Sequence, residues 1–210
     1  MRLIKICHCE RDMKPYILGK EGVWNLEDQD IVKMFCIRSE QAIEELSKKY
    51  GKLCSNVARN ILNDDQDAEE CVNDTYLGVW NSVPPKQPDP LLTYVCKITR
   101  NLAIKKYHAN TAFKRNSCYE VALSELEGCL AAPDSAEAEL SAQELTEALN
   151  RFLSTLDREN RILFVRRYWY ADSISDLAEQ FGMSNRNISL RLFRTREKLR
   201  SHLVQEGVLL

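Results

Sequence analysis

Three shortages narrow the field. The chain has only three histidines, His8, His108 and His202, none in a Glu-x-x-His spacing, so a helical-bundle metalloenzyme with ligands on facing helices is remote. Its eight cysteines, at 7, 9, 36, 54, 71, 96, 118 and 129, form no CxxC pairs with partners at zinc-finger spacing. Several occupy apolar helix positions and read as small buried hydrophobes in a reducing cytosol, leaving Cys7-His8-Cys9 as the one cluster that hints at metal or redox chemistry. No apolar run reaches the length of a membrane span. Arg2 and Lys5 precede no apolar core of the kind a signal peptide needs, so a cytoplasmic protein is expected. Sustained strand alternation is missing as well, which excludes a sheet-based fold.

What is present is a 210-residue chain with 44% apolar residues, enough for one large or two small packed domains. The net charge of −2 argues against nucleic acid only if the charges are mixed, and they are not. Between Leu91 and Tyr119 stand Lys97, Arg100, Lys105, Lys106, Lys114 and Arg115 with no acid. Glu120 to Glu147 then holds eight acids and no base. The second basic segment comes near the C-terminus.

That segment, Ser173 to Arg200, carries the sharpest pattern. Ile174, Leu177, Ala178 and Phe181 fall on one helical stripe, Gly182 breaks it, and Ile188, Leu192, Thr195, Leu199 and Leu203 resume at three-and-four spacing. Ser173 with Asp176 matches a capping box, and Ser184 suits the N-cap of the second helix. This is a helix-turn-helix whose second helix bears Arg186, Arg191, Arg194, Arg196, Lys198 and Arg200. With Ile188 and Leu192 inward, 100° per residue turns Arg186, Asn187, Leu190 and Arg194 outward, as side chains entering a major groove would be. Arginine reads guanine, asparagine adenine, and leucine a thymine methyl. An arginine-rich face alone is more often only solvated. The glycine turn, the two caps and the single acid, Glu197, between positions 186 and 200 favour DNA.

Elsewhere the periodicity predicts an all-α chain of two small bundles. From Ser39 onward, Ile43, Leu46, Tyr50, Leu53, Val57 and Ile61 mark a long helix ending at Asn63-Asp64-Asp65. A second, from Asp67 to Trp80, places Ala68, Val72, Thr75, Val79 and Trp80 on one side, before a proline-rich loop at 84–90. A third, from Leu91 to about Tyr107, turns Leu91, Val95, Ile98 and Leu102 inward and offers Lys97, Arg100, Lys105 and Lys106 to solvent or phosphate, with Tyr94 and Tyr107 interleaved. Tyr94 reads as core. Leu140 to Leu153 and Arg158 to Tyr170 complete the second bundle. The divisions are a variable extension, 1–27, a first domain, 28–116, an acidic linker, 117–139, and a helix-turn-helix domain, 140–206.

Three stretches in order, Asp67 to Trp80 (DAEECVNDTYLGVW), Ile98 to Ala103 (ITRNLA) and the C-terminal helix-turn-helix, resemble sigma-70 family sigma factors of the extracytoplasmic-function type. The resemblance covers roughly residues 28–204, as region 2, acidic linker and region 4. It implies two helical domains, core RNA polymerase and promoter DNA as partners, an anti-sigma protein that in relatives is often membrane-anchored, and neither catalysis, cofactor nor small-molecule substrate. It places Asn73 and Asp74 against the polymerase clamp helices. It assigns Lys97, Arg100, Asn101, Lys105 and Lys106 to the melted minus-ten strand, where Tyr94 stands in place of the family's usual tryptophan. To the minus-35 duplex it brings Ser184, Asn185, Arg186, Asn187, Ser189, Leu190, Arg191 and Arg194, and it implies that the acidic linker threads toward the RNA path. A stand-alone regulator binding a palindrome as a dimer is the alternative, disfavoured by the acid-free basic segment 91–119.

Overall fold

The structure is a computed structural model, and it describes residues 26–109, 117–127 and 138–207. The extension 1–25, Cys7-His8-Cys9, Lys114, Arg115 and the acidic run 128–137 lie outside the described residues, as do the side chains of 138–143. All regular structure among the described residues is helical: α1 Asp28–Cys36, α2 Gln41–Leu62, α3 Asp65–Ser82, α4 Leu91–Ala109, α5 Cys118–Glu127, α6 Ala138–Thr155, α7 Arg158–Tyr168, α8 Ile174–Phe181 and α9 Asn185–Gln205. None of these is long and apolar enough to cross a membrane. The chain divides into two compact units between Glu120 and Val121, a point inside α5.

In the first unit α2, α3 and α4 pack against one another, with α1 laid on α2 and α4. Leu46, Tyr50, Leu53, Val57 and Ile61 are buried as the spacing of α2 predicts, and Ala68, Val72, Thr75 and Val79 as that of α3 predicts. The join between α2 and α3 is short: Asn63 adopts the left-handed conformation (φ 54°) as the C-cap, and Asp64 then accepts a hydrogen bond from the Asp67 amide as the N-cap. The first helix, α1, carries too few turns for its buried Ile31, Val32 and Phe35 to stand out as a period, and the sequence reading missed it.

The inward face of α4 differs from the expected one. Ile98 and Leu102 are half-exposed, while Cys96, Thr99, Arg100, Ala103 and Tyr107 are buried. A polar contact sets this rotation. Thr75 donates to the Cys71 carbonyl at 2.8 Å and its hydroxyl meets that of Thr99 at 3.2 Å, while Thr99 donates to the Val95 carbonyl at 3.1 Å. Each buried hydroxyl is thereby satisfied where two helices meet, which hydrophobicity counting does not foresee. A side chain at Gly78 would stand 3.2 Å from Ile98, so α3 and α4 are close here. Cys54, Cys71 and Cys96 are buried, and burial pushes the Cys54 thiol up to about 11 and the Cys71 thiol up to about 12, so both stay protonated near neutral pH.

In the second unit α9 is the central element, contacting α6, α7 and α8. Its Ile188, Leu192, Thr195, Leu199 and Leu203 are all buried, as the spacing predicts. Asp157 caps α7, accepting from the backbone and side-chain amides of Asn160 at 3.0 and 2.6 Å, and these bonds hold its carboxyl below the ordinary value. Such a depressed group stabilises the fold fully above its unfolded pKa of about 3.9, and the contribution is lost as pH falls through the lower folded value. Asn160→Ala is expected to return the Asp157 carboxyl toward that ordinary value, read by an NMR titration of its side-chain carbon.

Candidate functional site

Local signals build the helix-turn-helix. The Ser173 hydroxyl accepts from the Asp176 amide at 3.0 Å, starting α8. Gly182 ends it at φ 63°, with its amide on the Glu179 carbonyl and the Met183 amide on the Ala178 carbonyl at 2.9 Å, the pair of bonds of a Schellman turn. The Ser184 hydroxyl accepts from the Asn187 amide at 3.3 Å and starts α9. Both caps and the break are where the sequence places them.

With the buried stripe of α9 against the core, Ser184, Asn185, Arg186, Asn187, Ser189, Leu190 and Arg194 are exposed. Leu190 is 44% exposed, an apolar side chain held in water on an otherwise polar face, and it lines a shallow groove with Met183, Asn187, Arg191 and Arg194. Arg191 is half-buried and its Nη1 lies 3.0 Å from Glu159 on α7. The face thus offers guanidinium, amide and methyl groups side by side, the three kinds of group that distinguish base edges in a major groove. Phe193, 51% exposed, lies off the buried stripe and was missed by the sequence reading; its position three residues after Leu190 and one after Leu192 is the signal that would have found it.

On α3 of the first unit, Asn73 and Asp74 are exposed on the side away from Val72, Thr75 and Val79. Leu77, one turn on and 55% exposed, shares their face, and Ile37 just after α1 is 77% exposed. Neither apolar residue was anticipated. The Arg38 guanidinium lies 5.3 Å from the centre of the Trp80 ring and donates to the Trp80 carbonyl at 2.5 Å, tying the end of α3 to the α1–α2 turn.

The expected single-strand track along α4 is only partly open. Asn101 and Lys105 are exposed and Lys97 is half-buried. Arg100, expected in solvent, is 8% exposed: the turn of α4 toward Thr75 carries it inward, its guanidinium lies 5.9 Å from the Tyr119 ring, and desolvation lowers its pKa. Tyr107 is likewise buried, edge-on to Tyr119 at 5.3 Å, so it offers no face for stacking. Lys106 is held by Asp67 at 2.9 Å and Glu70 at 2.6 Å in the first turns of α3. Tyr94 is half-buried, donating to the Ser82 hydroxyl at 2.6 Å with the Lys86 ammonium 5.8 Å from its ring. Among the described residues, no cluster of three or more His, Cys, Asp or Glu is arranged to hold a metal.

These two surfaces coincide with two family matches. Sigma-70 region 2 matches residues 29–112 and sigma-70 region 4 matches residues 146–199, together about two thirds of the chain. The chain belongs to the sigma-70 family. Its two regions follow in order with residues 113–145 between them, the arrangement of an extracytoplasmic-function sigma factor. A solved structure, CnrH in complex with the cytosolic domain of CnrY, is similar at 19% identity and a TM-score of 0.40, covering 85% of this chain and 97% of that one. No curated protein matches the sequence. A sigma factor directs promoter recognition, and the stretch matched by region 4 includes α8 and most of α9.

Two outcomes are expected of this sigma factor. Arg186→Ala changes the base preference at the duplex contacted by α9, read by selection from a randomised duplex pool. Lys198→Ala leaves that preference intact, weakens binding evenly and flattens its dependence on salt.

Proposed function

We propose that this sigma factor binds core RNA polymerase through the exposed face of α3, with Asn73 and Asp74 against it, and reads the minus-35 duplex through Ser184, Asn185, Arg186, Asn187, Ser189, Leu190, Arg191 and Arg194. Lys97, Asn101 and Lys105 on α4 guide the melted minus-ten strand, where exposed bases and phosphates meet a basic helix. Arg100 and Lys106 act there as the frame that fixes α4. Residues 28–116 form the polymerase-binding body and 140–206 the duplex-binding body, joined by 117–139, the first part of which is α5. The chain acts in the cytoplasm, performs no chemistry of its own, and is held in check by an anti-sigma protein.

One observation carries this reading: α9 presents Arg186, Asn187, Leu190 and Arg194 to solvent on the side opposite a fully buried stripe, in a turn whose three local stops all hold. Two linked bodies, one for duplex and one for single strand, give the join the value of a local concentration, since docking of either raises the chance of the other.

Transcription in vitro on genomic fragments, with core polymerase and with or without this protein, tests it. The expected result is discrete start sites sharing two upstream motifs; binding to DNA with no new start sites transfers the chain to stand-alone regulators. Asp74→Lys is expected to lower affinity for core polymerase at least tenfold, a loss of about 1.4 kcal/mol, measured by surface-immobilised core, with duplex binding unaltered.

A further inference from the structure

The helix α5 falls outside both matched stretches, 29–112 and 146–199, yet one of its side chains is built into the second unit. Glu125 meets Arg167 of α7 through Nη2 at 2.8 Å and Nε at 3.4 Å, accepts from the Tyr168 hydroxyl at 2.9 Å, and lies 3.2 Å from Arg196 Nη1 on α9. Arg196 also donates to the Tyr168 oxygen at 2.7 Å. Burial raises the Tyr168 pKa, which keeps its proton available to the carboxylate. Arg167 is buried, its side chain 3% exposed, with Nη1 on the Asp172 carbonyl at 2.8 Å.

The two arginines therefore hold the same carboxylate unequally. Arg167 grips it from the interior with two N–H groups, the geometry that suits an oxyanion best. Arg196 reaches it from the solvent edge, 17% exposed, through a single N–H at 3.2 Å. With one N–H on the carboxylate against two from Arg167, Arg196 is the more exchangeable of the two partners. Its guanidinium sits on the same helix as the DNA-facing residues, and a phosphate offers it what a carboxylate offers.

We propose that Glu125 is an internal stand-in for DNA phosphate, holding Arg196 out of the DNA-facing charge of α9 and so setting the affinity of the duplex-binding body. The proposal rests on α9 being the duplex-binding element. Release of Glu125 hands one further cation to the backbone of the duplex, and the strength of binding is tuned by whether α5 is seated.

The test is the salt dependence of binding between the full chain and a fluorescein-labelled duplex of random sequence, compared across variants. Glu125→Gln is expected to bind more tightly and to steepen the log–log slope by about 0.9, the value for one added phosphate contact. Because that variant leaves Arg167 buried without its carboxylate, Arg196→Ala in the unaltered background provides a second, milder arm. Its slope is expected to match wild type, whereas Lys198→Ala lowers the slope by about 0.9. A folded Glu125→Gln protein with the wild-type slope overturns the proposal, as does Arg196→Ala flattening the slope as far as Lys198→Ala does. Loss of slope in Lys198→Ala, with Arg196→Ala at the wild-type slope and Glu125→Gln steeper, is the outcome the proposal requires. No salt-dependent binding by wild type removes both.

Discussion

Everything the second unit does depends on the rotation of one helix about its own axis. Five buried side chains of α9, from Ile188 to Leu203, decide that angle, and the chemistry of the opposite face follows from it without further instruction. Thr195 shows how firmly the angle is held: its hydroxyl, though buried, is satisfied within α9 by the Arg191 carbonyl at 2.9 Å, so the stripe stays continuous through a polar residue. A helix that is also the core of its domain cannot drift on its support, so the side chains on its outer face are held in fixed positions.

The helix-turn-helix was legible in the sequence because every signal that makes it is local. Ser173, Gly182 and Ser184 act on backbone groups within five residues, and the stripe of α9 from Ile188 to Leu203 spans about four turns. The two-bundle, all-helical plan was legible for the same reason. The angle of α4 was not. It is fixed by the meeting of Thr75 with Thr99, residues 24 apart in the chain, and by Tyr119 closing over Arg100 and Tyr107. No pattern within a single helix announces such a contact. Leu77 falls between the buried positions of α3 and so leaves no mark in the hydrophobic period, although an unburied leucine beside Asn73 and Asp74 is itself a signal. The helix α5 was read as linker from its composition, and only the pairing of Glu125 across more than forty positions with Arg167 shows it as part of a packed body.

Charge illustrates the same division. The sequence locates basic segments correctly but overstates what they have to offer a polyanion. Lys106 is committed to α3, and Arg166 to the buried Asp172 in the turn that leads into α8. These pairs organise the helices that carry the exposed cations, and their strength depends on how far each is shielded from water. A near-neutral net charge is therefore compatible with one strongly basic face, because part of the chain's positive charge is matched with acids inside each unit.

The short join between α2 and α3 has a consequence for how this chain tolerates variation. Asn63 in its left-handed conformation and Asp64 as cap fix where α3 begins, and Val72, Thr75 and Val79 fix how it is turned. One residue inserted between Asp67 and Val72 would swing the remainder of α3 by about 100°, carrying Val72 and Val79 off the core-facing side and Asp74 toward it. The count of residues from Asp64 to Val79 thus decides which side chains the outer face of α3 displays as much as their identities do.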